Sequence, residues 1–346
     1  MKKITNLKNF SLDVNQKVLK AMEKLNNKEV SFLIIVDQDM TLLGTLTDGD
    51  IRRHILKGKS LNEKVKIAMN SKPIFSYDSD TKNHKNKLLS SQSILKFLPV
   101  INKIKKVEFI LVHEKEEMNN IALIMAGGYG KRLGSKTKRT PKPLLKVGNK
   151  TILDIIIRKI KNAGLKKIFV STHYLHEKIL THIQTKYNRF DISIINEEFP
   201  MGTAGCISMI NENNNYKNLL VINGDVVSNV DIKSLISYHH DTKNDITLTI
   251  ARYSYQIPFG LVELNKNYRL INIKEKPSID YNVVSGIYCL KKNICNLVSK
   301  EYIDMTTLIS NSIQMKKKIG VFPIHEYWTD IGNPDDLIRA KKEYNK

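Results

Sequence analysis

The sequence has few cysteines, few aromatic residues and no long apolar run. Among its 346 residues there are three cysteines (Cys206, Cys289 and Cys295), one tryptophan and 7% aromatic residues. The cysteines lack the paired spacing of a zinc site or a disulfide framework, so we expect them to be reduced and packed in a core. The longest apolar candidate, residues 121–126 (IALIMA), has the length of a strand and is too short to cross a bilayer.

A signal peptide is also missing from the first residues of the sequence. They read MKKITNLKNF, in which lysine and asparagine interrupt any apolar segment. We therefore expect a cytoplasmic protein without a membrane segment. With 346 residues, 41% of them hydrophobic, the chain can bury a large core and is long enough for two domains.

Negative charge is scarce relative to positive charge. Lysine and arginine number 56 against 34 aspartate and glutamate residues, which gives a formal net charge of +22. Such an excess can attract nucleic acid, but here the lysines are spread along the whole chain without an aromatic platform or a nucleic-acid-binding motif. Dispersed charge is typical of a solvated surface, so we expect no nucleic-acid partner. Part of the excess can serve phosphate-bearing substrates.

The pattern of the sequence changes near residue 118, which divides the chain into predicted domains at 1–118 and 119–346. A charged stretch at 112–120 (VHEKEEMNN) has the composition of a linker. After it, residues 121–126 form an apolar run that enters a glycine-rich turn, as the first buried strand of a parallel sheet does. Strands and helices then alternate, which predicts a doubly wound, Rossmann-like α/β sheet with ligands at the carboxyl ends of its strands. The other predicted strands are residues 167–172, 192–195 and 219–225.

The first domain contains a weak internal repeat. Residues 32–37 and 40–46 form two predicted strands joined by a polar turn, and residues 97–102 and 107–111 repeat that order. Apolar residues at helical spacing precede the strands, for example between residues 18 and 25. We therefore expect two copies of a βαββα-like unit.

Residues 44–53 (GTLTDGDIRR) resemble the end of a CBS motif, and residues 1–118 resemble a tandem CBS pair of α+β type. The resemblance implies that Thr47 and Asp50 bind the phosphate and ribose of a regulatory nucleotide. A carboxylate can accept two ribose hydroxyls, while Thr and nearby amides donate to phosphate. The same residues can also cap the helix that follows them, and the two roles are compatible. The second copy has Glu108 in place of the usual glycine and no matching Thr and Asp, so we expect it to contribute little to ligand binding.

The strongest chemical signal is a glycine-rich turn followed by a basic segment. Residues 126–133 (AGGYGKRL) follow the predicted first strand, and residues 141–145 (PKPLL) come shortly after. Glycines at a strand end let backbone N–H groups approach phosphates, and Arg132 and Lys142 supply cations for a polyphosphate. The pattern is neither the GxGxxG of dinucleotide-binding folds nor the Gly-Lys-Ser/Thr of phosphate-loop NTPases. The candidate nucleotide-contacting positions of the turn are Ala126, Gly127, Gly128 and Gly130.

Together with the segments that follow, these motifs resemble the sugar nucleotidyltransferases over about residues 121–340. That family has a glycosyltransferase-A-like fold. Residues 198–205 (EFPMGTAG) are similar to its base-binding segment, which implies that Gly202 and Thr203 contact the base. The alternative is a plain helix start with Thr203 as its cap.

The resemblance also implies a magnesium site made of two carboxylates. Asp225 ends residues 223–225 (NGD) at the carboxyl end of a strand, and Asp330 lies in residues 327–336 (YWTDIGNPDD). Mg²⁺ is a hard cation that favours carboxylate and phosphate oxygens. We expect Asp225 and Asp330 to hold it, with Gly224 beside the substrate.

Three further segments match the family's sugar-binding part: residues 259–263 (FGLVE), 273–277 (IKEKP) and 284–288 (VSGIY). The resemblance implies that Gly260 and Gly286 lie against the sugar. Glu275 would accept its hydroxyls, and Lys276 would contact its phosphate. These two residues can also be an exposed ion pair before a turn. Val284 stands where the family often has Asn, which leaves the identity of the sugar open.

The reaction implied is transfer of a nucleoside monophosphate from a nucleoside triphosphate to a sugar 1-phosphate, with release of pyrophosphate. The attacking phosphate oxygen is already anionic, so no Ser, Cys or His nucleophile is needed. Catalysis then depends on positioning and on charge neutralisation by Arg132, Lys142 and Mg²⁺ on Asp225. Because the sequence ends soon after Asp336, we expect no appended acyltransferase β-helix.

A CBS pair joined to such a transferase is most similar to the glucosamine-1-phosphate guanylyltransferases of legionaminic acid biosynthesis. This favours GTP and glucosamine 1-phosphate as substrates, for surface-glycan or nonulosonic acid biosynthesis, and a homodimer or higher homo-oligomer. The alternatives are a thymidylyl-, uridylyl- or cytidylyltransferase acting on another hexose or heptose phosphate, an inactive nucleotide-sensing regulator, and a glycosyltransferase. The retained charged residues argue against the regulator, and residues 223–225 lack the Asp-x-Asp of a glycosyltransferase.

Overall fold

A computed structural model describes residues 1–25, 31–90, 96–113, 119–210 and 214–344. Residues 114–118, which belong to the predicted linker, lie outside the described residues. The chain forms two compact units, the first of Met1–Met118 and Lys233–Lys243 and the second of Asn119–Ile232 and Asn244–Lys346. Residues 233–243 fall within the sequence range of the predicted second domain, and the domain boundaries stay a prediction.

Within its described residues up to 113, the first unit contains seven short strands and four helices. The strands are β1 (Lys2–Ile4), β2 (Ser11–Asp13), β3 (Phe32–Val36), β4 (Leu42–Thr47), β5 (Ser76–Tyr77), β6 (Lys96–Ile101) and β7 (Val107–His113). The helices are α1 (Val18–Leu25), α2 (Asp48–Leu56), α3 (Val65–Ala68) and α4 (His84–Ser90).

These strands form two small sheets that repeat one plan. Their orders are β2-β3-β4 and β1-β7-β6-β5. In each, a parallel pair joined through a helix (β2 to β3, β5 to β6) is followed by an antiparallel hairpin (β3 to β4, β6 to β7). The copies share a core in which the rings of Phe32 and Phe97 stack with centroids 4.1 Å apart. The predicted repeat is therefore present as strand–helix–strand–strand, and α2 follows the first copy.

One glycine explains a sequence difference between the copies. A Cβ added to Gly44 would lie 2.7 Å from the carbonyl oxygen of Asn70, so the close approach of the two segments requires glycine. In the second copy the register places Phe109 opposite Val100, as Gly44 lies opposite Ile35, so Phe109 and not Glu108 stands at this position. Glu108 is the bulge residue before it; it is exposed and accepts from Nδ2 of Asn102 at 2.8 Å.

The rest of the chain contains thirteen strands, seven helices and three short 3₁₀ segments within the described ranges. The strands are β8 (Asn120–Met125), β9 (Lys146–Val147), β10 (Lys150–Thr151), β11 (Ile168–Thr172), β12 (Ile192–Asn196), β13 (Asn218–Asn223), β14 (Val226–Ser228), β15 (Ile246–Gln256), β16 (Leu261–Leu264), β17 (Leu270–Lys274), β18 (Ser278–Lys291), β19 (Ile319–Ile324) and β20 (Trp328–Asp330). The helices are α5 (Ser135–Lys138), α6 (Ile152–Asn162), α7 (His176–Tyr187), α8 (Ile232–Asp241), α9 (Lys292–Cys295), α10 (Met305–Gln314) and α11 (Pro334–Glu343). The 3₁₀ segments are Lys131–Leu133, Lys142–Leu144 and Gly205–Met209.

The second unit is built on a seven-stranded sheet of order β12-β11-β8-β13-β18-β15-β19. Strands β12, β11, β8 and β13 are parallel, whereas β18 runs antiparallel to both of its neighbours. From β8 the chain moves outward to β11 and β12 and then returns to β13 on the other side. The carboxyl ends of β8 and β13 therefore flank the switch point at which α/β sheets bind ligands.

Both faces of the central strands are buried. On one face Leu123 and Val221 pack in a cluster with Ala204, Met305 and Leu308. Neighbouring side chains that point to the opposite face, such as Ile124 in β8, are buried as well. This explains why β8 and β13 read as continuous apolar runs. The three cysteines are free and buried, as expected. No helix within the described ranges has both the length and the apolar composition needed to cross a membrane.

Strands β15 and β18 extend past the sheet as a paired ribbon. Their register continues from Ile250 opposite Val284 to Gln256 opposite Ser278. The antiparallel hairpin of β16 and β17 follows, with all of its residues exposed. Most of the predicted sugar-binding residues lie on this ribbon and hairpin.

Candidate active site

The glycine-rich turn follows β8 at the carboxyl edge of the sheet. Gly130 has a φ of 63°, and a Cβ there would lie 2.9 Å from Cγ2 of Thr137, so the position requires glycine. Oγ1 of Thr137 donates to the Gly130 carbonyl at 2.9 Å and fixes the turn. At Gly128, in contrast, an added Cβ would meet no atom of the described part of the chain within 4 Å. The turn thus combines a fixed base with open space that suits a phosphate.

Lys142 lies between two prolines in the 3₁₀ segment after this turn, and its side chain is buried. Its Nζ donates to Oδ2 of Asp225 and lies 3.7 Å from Oδ1 of Asp330. The predicted phosphate-binding lysine therefore contacts both predicted metal carboxylates, across 83 residues of sequence in the case of Asp225.

A two-stranded ladder brings the carboxylates together. Strand β14 begins directly after Asp225, strand β20 ends at Asp330, and the two strands pair with Val226 opposite Asp330. The amide of Ile331 also donates to the Asp225 carbonyl at 3.1 Å. These backbone bonds set the separation of two residues that are far apart in sequence.

Gly224 has a structural role in this arrangement. Its amide donates to the carbonyl of Met125 at 2.8 Å, and an added Cβ would lie 2.6 Å from the same oxygen. Glycine therefore lets the end of β13 pass against the end of β8, next to Asp225.

The donor set fits a magnesium ion. Oδ1 of Asp225 and Oδ1 of Asp330 are buried and have no hydrogen-bond partner among the described residues. Among all the residues that the structure describes, there is no group of three or more His, Cys, Asp or Glu side chains that could hold a metal by itself. Mg²⁺ usually binds through one or two carboxylates and takes its other ligands from phosphate and water. Two unpartnered carboxylate oxygens beside the glycine-rich turn meet that requirement.

The electrostatics of Asp330 reflect the crowded charges. Burial, together with the nearby Asp225 carboxylate, raises the pKa of Asp330 to about 6, although Lys142 and Arg132 lower it. Arg132 is the other predicted cation, and its Nη1 lies 3.3 Å from the place of a Cβ on Gly332. The structure thus brings Arg132, Lys142, Asp225 and Asp330 into one site.

The predicted base-binding segment is held by the start of α10. Gly202 has a φ of 73°, and a Cβ there would lie 2.6 Å from the carbonyl oxygen of Ile303. The amide and Oγ1 of Thr203 both donate to Oδ1 of Asp304 at 3.1 Å, and Oγ1 accepts from the amide of Met305 at 2.8 Å. Thr203 therefore caps α10 rather than the 3₁₀ segment that follows it in sequence. Its polar groups already have partners within the protein.

The predicted sugar-binding residues fall into two groups. On the exposed hairpin, a Cβ on Gly260 would lie 3.2 Å from Oε2 of Glu275, so these two predicted residues are adjacent, and Lys276 has a φ of 43°. Gly286 lies in the sheet, where a Cβ would come within 2.8 Å of Nδ2 of Asn223. Oδ1 of Asn223 is buried and has no hydrogen-bond partner among the described residues. Asn223 is thus a candidate substrate contact that the sequence motifs did not predict.

Glu197 is a second residue without a role in the sequence analysis. It follows β12, is buried, and accepts from the amide of Met201 through Oε2 at 3.3 Å. Its Oε1 lies 3.3 Å from the place of a Cβ on Gly127, and its carbonyl hydrogen-bonds Nδ1 of His173 at 2.9 Å. The carboxylate therefore joins the glycine-rich turn to the predicted base-binding segment. In the sequence, Glu197 is one of two adjacent acidic residues just before the segment that contains Gly202, and nothing in that pattern distinguishes it from Glu198.

In the first unit, Thr47 and Asp50 form a capping box at the start of α2. Oδ2 of Asp50 accepts from the amide and hydroxyl of Thr47 at 2.8 and 2.7 Å, and Oδ1 accepts from Nη2 of Arg53 at 2.6 Å. The capping role is therefore present. The nucleotide-binding role stays a prediction.

Two carboxylates, a buried lysine and a glycine-rich turn at the switch point of an α/β sheet are what nucleotidyl transfer requires, and comparison with known proteins gives the same class. The nucleotidyl transferase family matches residues 121–346, and the CBS domain family matches residues 2–57. The chain belongs to the nucleotidyl transferase family and carries a CBS domain at its N-terminus. The second predicted CBS copy lies outside the matched residues.

Three relatives cover the transferase region. The D-glycero-alpha-D-manno-heptose 1-phosphate guanylyltransferase of Aneurinibacillus thermoaerophilus is 32% identical over 225 residues, 64% of this chain and 97% of that protein. A putative mannose-1-phosphate guanyltransferase of Sulfolobus acidocaldarius is 29% identical over 230 residues, 64% of this chain and 62% of that protein. The bifunctional protein GlmU of Methanococcus vannielii is 30% identical over 239 residues, 65% of this chain and 55% of that protein. The chain thus spans nearly all of the first relative and under two thirds of the other two.

Solved structures share the fold. The HddC protein of Yersinia pseudotuberculosis complexed with GMP-PN superposes with a TM-score of 0.52 at 22% identity, over 66% of this chain and all of that one. A putative glucose-1-phosphate thymidylyltransferase of Bacillus anthracis gives a TM-score of 0.50 at 22% identity, over 64% of this chain and 94% of that one.

Proposed function

We propose that this nucleotidyltransferase joins GTP to glucosamine 1-phosphate with Mg²⁺, giving GDP-glucosamine and pyrophosphate. The observation that carries the reaction class is the pair Asp225 and Asp330 beside Lys142 and the glycine-rich turn. Each carboxylate has a buried oxygen that accepts no hydrogen bond from the described residues. The choice of guanine is supported by the guanylyltransferase relatives and by the position of Glu197.

The reaction is an in-line displacement at the α-phosphorus. An anionic oxygen of the sugar phosphate attacks the α-phosphorus and forms a new P–O bond. The bond between the α-phosphorus and the oxygen that bridges it to the β-phosphorus breaks, and pyrophosphate leaves with the electron pair. The glycine-rich turn orients the triphosphate, while Arg132 and Lys142 neutralise charge on it. Asp225 and Asp330 would hold Mg²⁺, which would supply positive charge to the phosphate oxygens.

Glu197 supplies a reason for guanine. Guanine presents two adjacent donors, N1–H and the N2 amino group, whereas a carboxylate offers two acceptors and no donor. Oε1 of Glu197 lies over Gly127, and Oε2 accepts from Met201 next to Gly202, so the carboxylate stands between the two segments that would hold the nucleotide. Inosine triphosphate lacks the N2 amino group and is the matched probe. We expect wild-type enzyme to prefer GTP over it and Glu197→Gln to lose most of that preference.

A purely structural role for Glu197 gives a different result. If the carboxylate only orders the segment at Met201, the variant should lose activity equally with GTP and inosine triphosphate. An unchanged ratio of the two kcat/KM values therefore removes Glu197 from base recognition.

Glucosamine 1-phosphate is proposed because the whole chain resembles the glucosamine-1-phosphate guanylyltransferases and because it has Glu275 and Lys276 in the predicted sugar-binding segment. A heptose 1-phosphate is the second candidate, because the Aneurinibacillus thermoaerophilus relative is a heptose 1-phosphate guanylyltransferase and covers the transferase region almost completely.

A substrate matrix tests the proposal. The four common nucleoside triphosphates and dTTP are each combined with glucosamine, glucose, mannose and heptose 1-phosphates, and pyrophosphate release is measured. The highest kcat/KM should belong to GTP with glucosamine 1-phosphate. A preference for another base or sugar corrects the substrate and keeps the reaction class, whereas no pyrophosphate from any pair overturns the class itself.

A further inference from the structure

Lys142 occupies the place where a metal would bind. Its Nζ donates to Oδ2 of Asp225 and lies 3.7 Å from Oδ1 of Asp330, while its side chain is buried. The carboxylates therefore have a counterion that belongs to the chain itself. Oδ1 of Asp225 and Oδ1 of Asp330 accept no hydrogen bond from any described residue, so one ammonium group does not satisfy the pair.

Binding of a divalent cation to Asp225 and Asp330 without nucleotide is unfavourable. A divalent ion beside the ammonium of Lys142 suffers like-charge repulsion at close range, and displacing that ammonium leaves a buried charge without a partner. Mg²⁺ and Lys142 therefore compete for Asp225 as long as no other anion is present.

The position of the lysine gives it a second possible partner. A Cβ built on Gly130 would lie 3.5 Å from Cβ of Lys142, so the side chain starts beside the glycine-rich turn. The backbone around it is fixed, because Leu144 donates to the Pro141 carbonyl at 2.9 Å and Leu145 to the Lys142 carbonyl at 3.1 Å. Only the flexible four-carbon stem needs to move for Nζ to leave Asp225 and reach a phosphate held by the turn.

We infer that Lys142 is a resident counterion that Mg²⁺ replaces only when a nucleotide phosphate takes the lysine. This inference rests on the metal site of the proposed function and adds an order to it. Without nucleotide the enzyme binds divalent metal weakly, and metal and nucleotide bind together. Lys142 pairs with the carboxylates before the nucleotide binds and neutralises phosphate charge afterwards.

Binding of Mn²⁺, a paramagnetic substitute for Mg²⁺, tests the exchange without turnover. Electron paramagnetic resonance measures free Mn²⁺ in the presence of the full chain and no nucleotide. Lys142→Met and Lys142→Gln should bind Mn²⁺ about 10- to 100-fold more tightly than wild type, the range expected from removing one charged hydrogen bond that competes with the metal. Lys142→Arg keeps the charge and should stay weak. Lys146→Met, which removes an exposed lysine nearby in sequence, should match wild type.

The outcomes separate the inference from the function beneath it. If wild type binds Mn²⁺ as tightly as Lys142→Met, the exchange is wrong and the metal site stands. If neither protein binds Mn²⁺, or if Asp225→Asn does not weaken the binding seen in Lys142→Met, the metal assignment itself fails. Thermal unfolding of wild type gives a check that depends on no variant: Mn²⁺ alone should leave Tm nearly unchanged, and a clear rise in Tm with micromolar Mn²⁺ contradicts the inference.

Discussion

At the scale of single residues, the site is held together by contacts among its own functional groups. Lys142 neutralises Asp225, Thr203 caps α10, and Gly286 leaves room for Asn223. The backbone around these groups is fixed before substrate arrives, so only the stem of Lys142 needs to move during the reaction. Changes of charge at this site should therefore affect catalysis more than folding.

Asp225→Asn tests the role of the first carboxylate. The variant keeps the shape of the side chain but loses the charge that holds Mg²⁺, so kcat should fall by about two orders of magnitude or more, as for loss of a preorganised electrostatic group. Circular dichroism should show an intact fold. Asp191→Asn, an exposed aspartate of the same unit, is the matched control and should keep wild-type kcat. Near-normal turnover of Asp225→Asn would remove this residue from the metal site.

The raised pKa of Asp330 should make the stability of the metal-free protein depend on pH. Its pKa is raised to about 6 by burial and by Asp225, above the ordinary value near 4. Between these two values the folded state binds more protons than the unfolded state, so the free energy of unfolding should decrease as pH rises from about 4 to 6. Urea unfolding across this range should show a smaller decrease in Asp330→Asn than in wild type. Equal slopes in the two proteins would contradict the raised pKa.

The residues that the sequence predicted and those that it missed differ in the range of their contacts. Arg132, Lys142, Asp225 and Asp330 stand in recognisable segments, and the structure places them in one site. The pairing of Lys142 with Asp225 joins residues 83 positions apart, and no local pattern reports such a contact. Glu197 was missed for the same reason, since its carboxylate acquires meaning only where Gly127 and Met201 approach it.

At the scale of elements, local chemistry predicted the parallel strands of the central sheet and the start of α2. Thr47 and Asp50 form the expected capping box there. Apolar runs marked β8, β11 and β13. The antiparallel direction of β18 was not predicted, because hydrophobicity shows that a strand is buried and not which way it runs.

Gly224 and Gly128, at the carboxyl edge of the seven-stranded sheet, should respond differently to substitution by alanine. At Gly224 a Cβ would lie 2.6 Å from the Met125 carbonyl, so Gly224→Ala should destabilise the protein by about 1–3 kcal/mol and disturb Asp225 next to it. At Gly128 nothing in the described part of the chain lies within 4 Å, so Gly128→Ala should fold with unchanged Tm. Because the open space would receive the triphosphate, its KM for GTP should rise.

Thermal unfolding and steady-state kinetics of both variants check this contrast. A Gly128→Ala enzyme with wild-type KM would show that the turn does not hold phosphate. A Gly224→Ala protein of wild-type stability would show that the close contact with β8 relaxes without cost.

At the scale of the whole molecule, the chain combines a transferase unit with a unit that contains a CBS domain. We propose that the latter binds a regulatory nucleotide at Thr47 and Asp50 and mediates formation of a homodimer. Both oxygens of Asp50 already accept hydrogen bonds, from Thr47 and from Arg53, so a ribose must share or displace them. If the ligand alters catalysis, substrate must alter binding of the ligand by the same factor.

Calorimetry on the full chain tests the regulatory site. Wild type should bind one adenine or guanine nucleotide at this site per chain, in addition to the nucleotide of the active site, and Asp50→Ala should lose that binding while it keeps transferase activity. The variant should also lose about 1 kcal/mol of stability from the cap of α2. Asp39→Ala changes an exposed aspartate of the same unit and should retain the binding. Retention of the site in Asp50→Ala, or a monomer in light scattering, would contradict the proposal.

The central claim concerns which bond of the triphosphate breaks, and ³¹P NMR of one reaction measures it directly. The enzyme is mixed with GTP, glucosamine 1-phosphate and MgCl₂, and the phosphorus resonances are followed with time. If the α-phosphorus is attacked, the three GTP signals and the sugar phosphate signal should be lost together. A pyrophosphate signal and two coupled resonances of the nucleoside diphosphate sugar should grow at the same time. Formation of GDP and inorganic phosphate with the sugar phosphate unchanged would mean hydrolysis at the γ-phosphorus and would contradict the account.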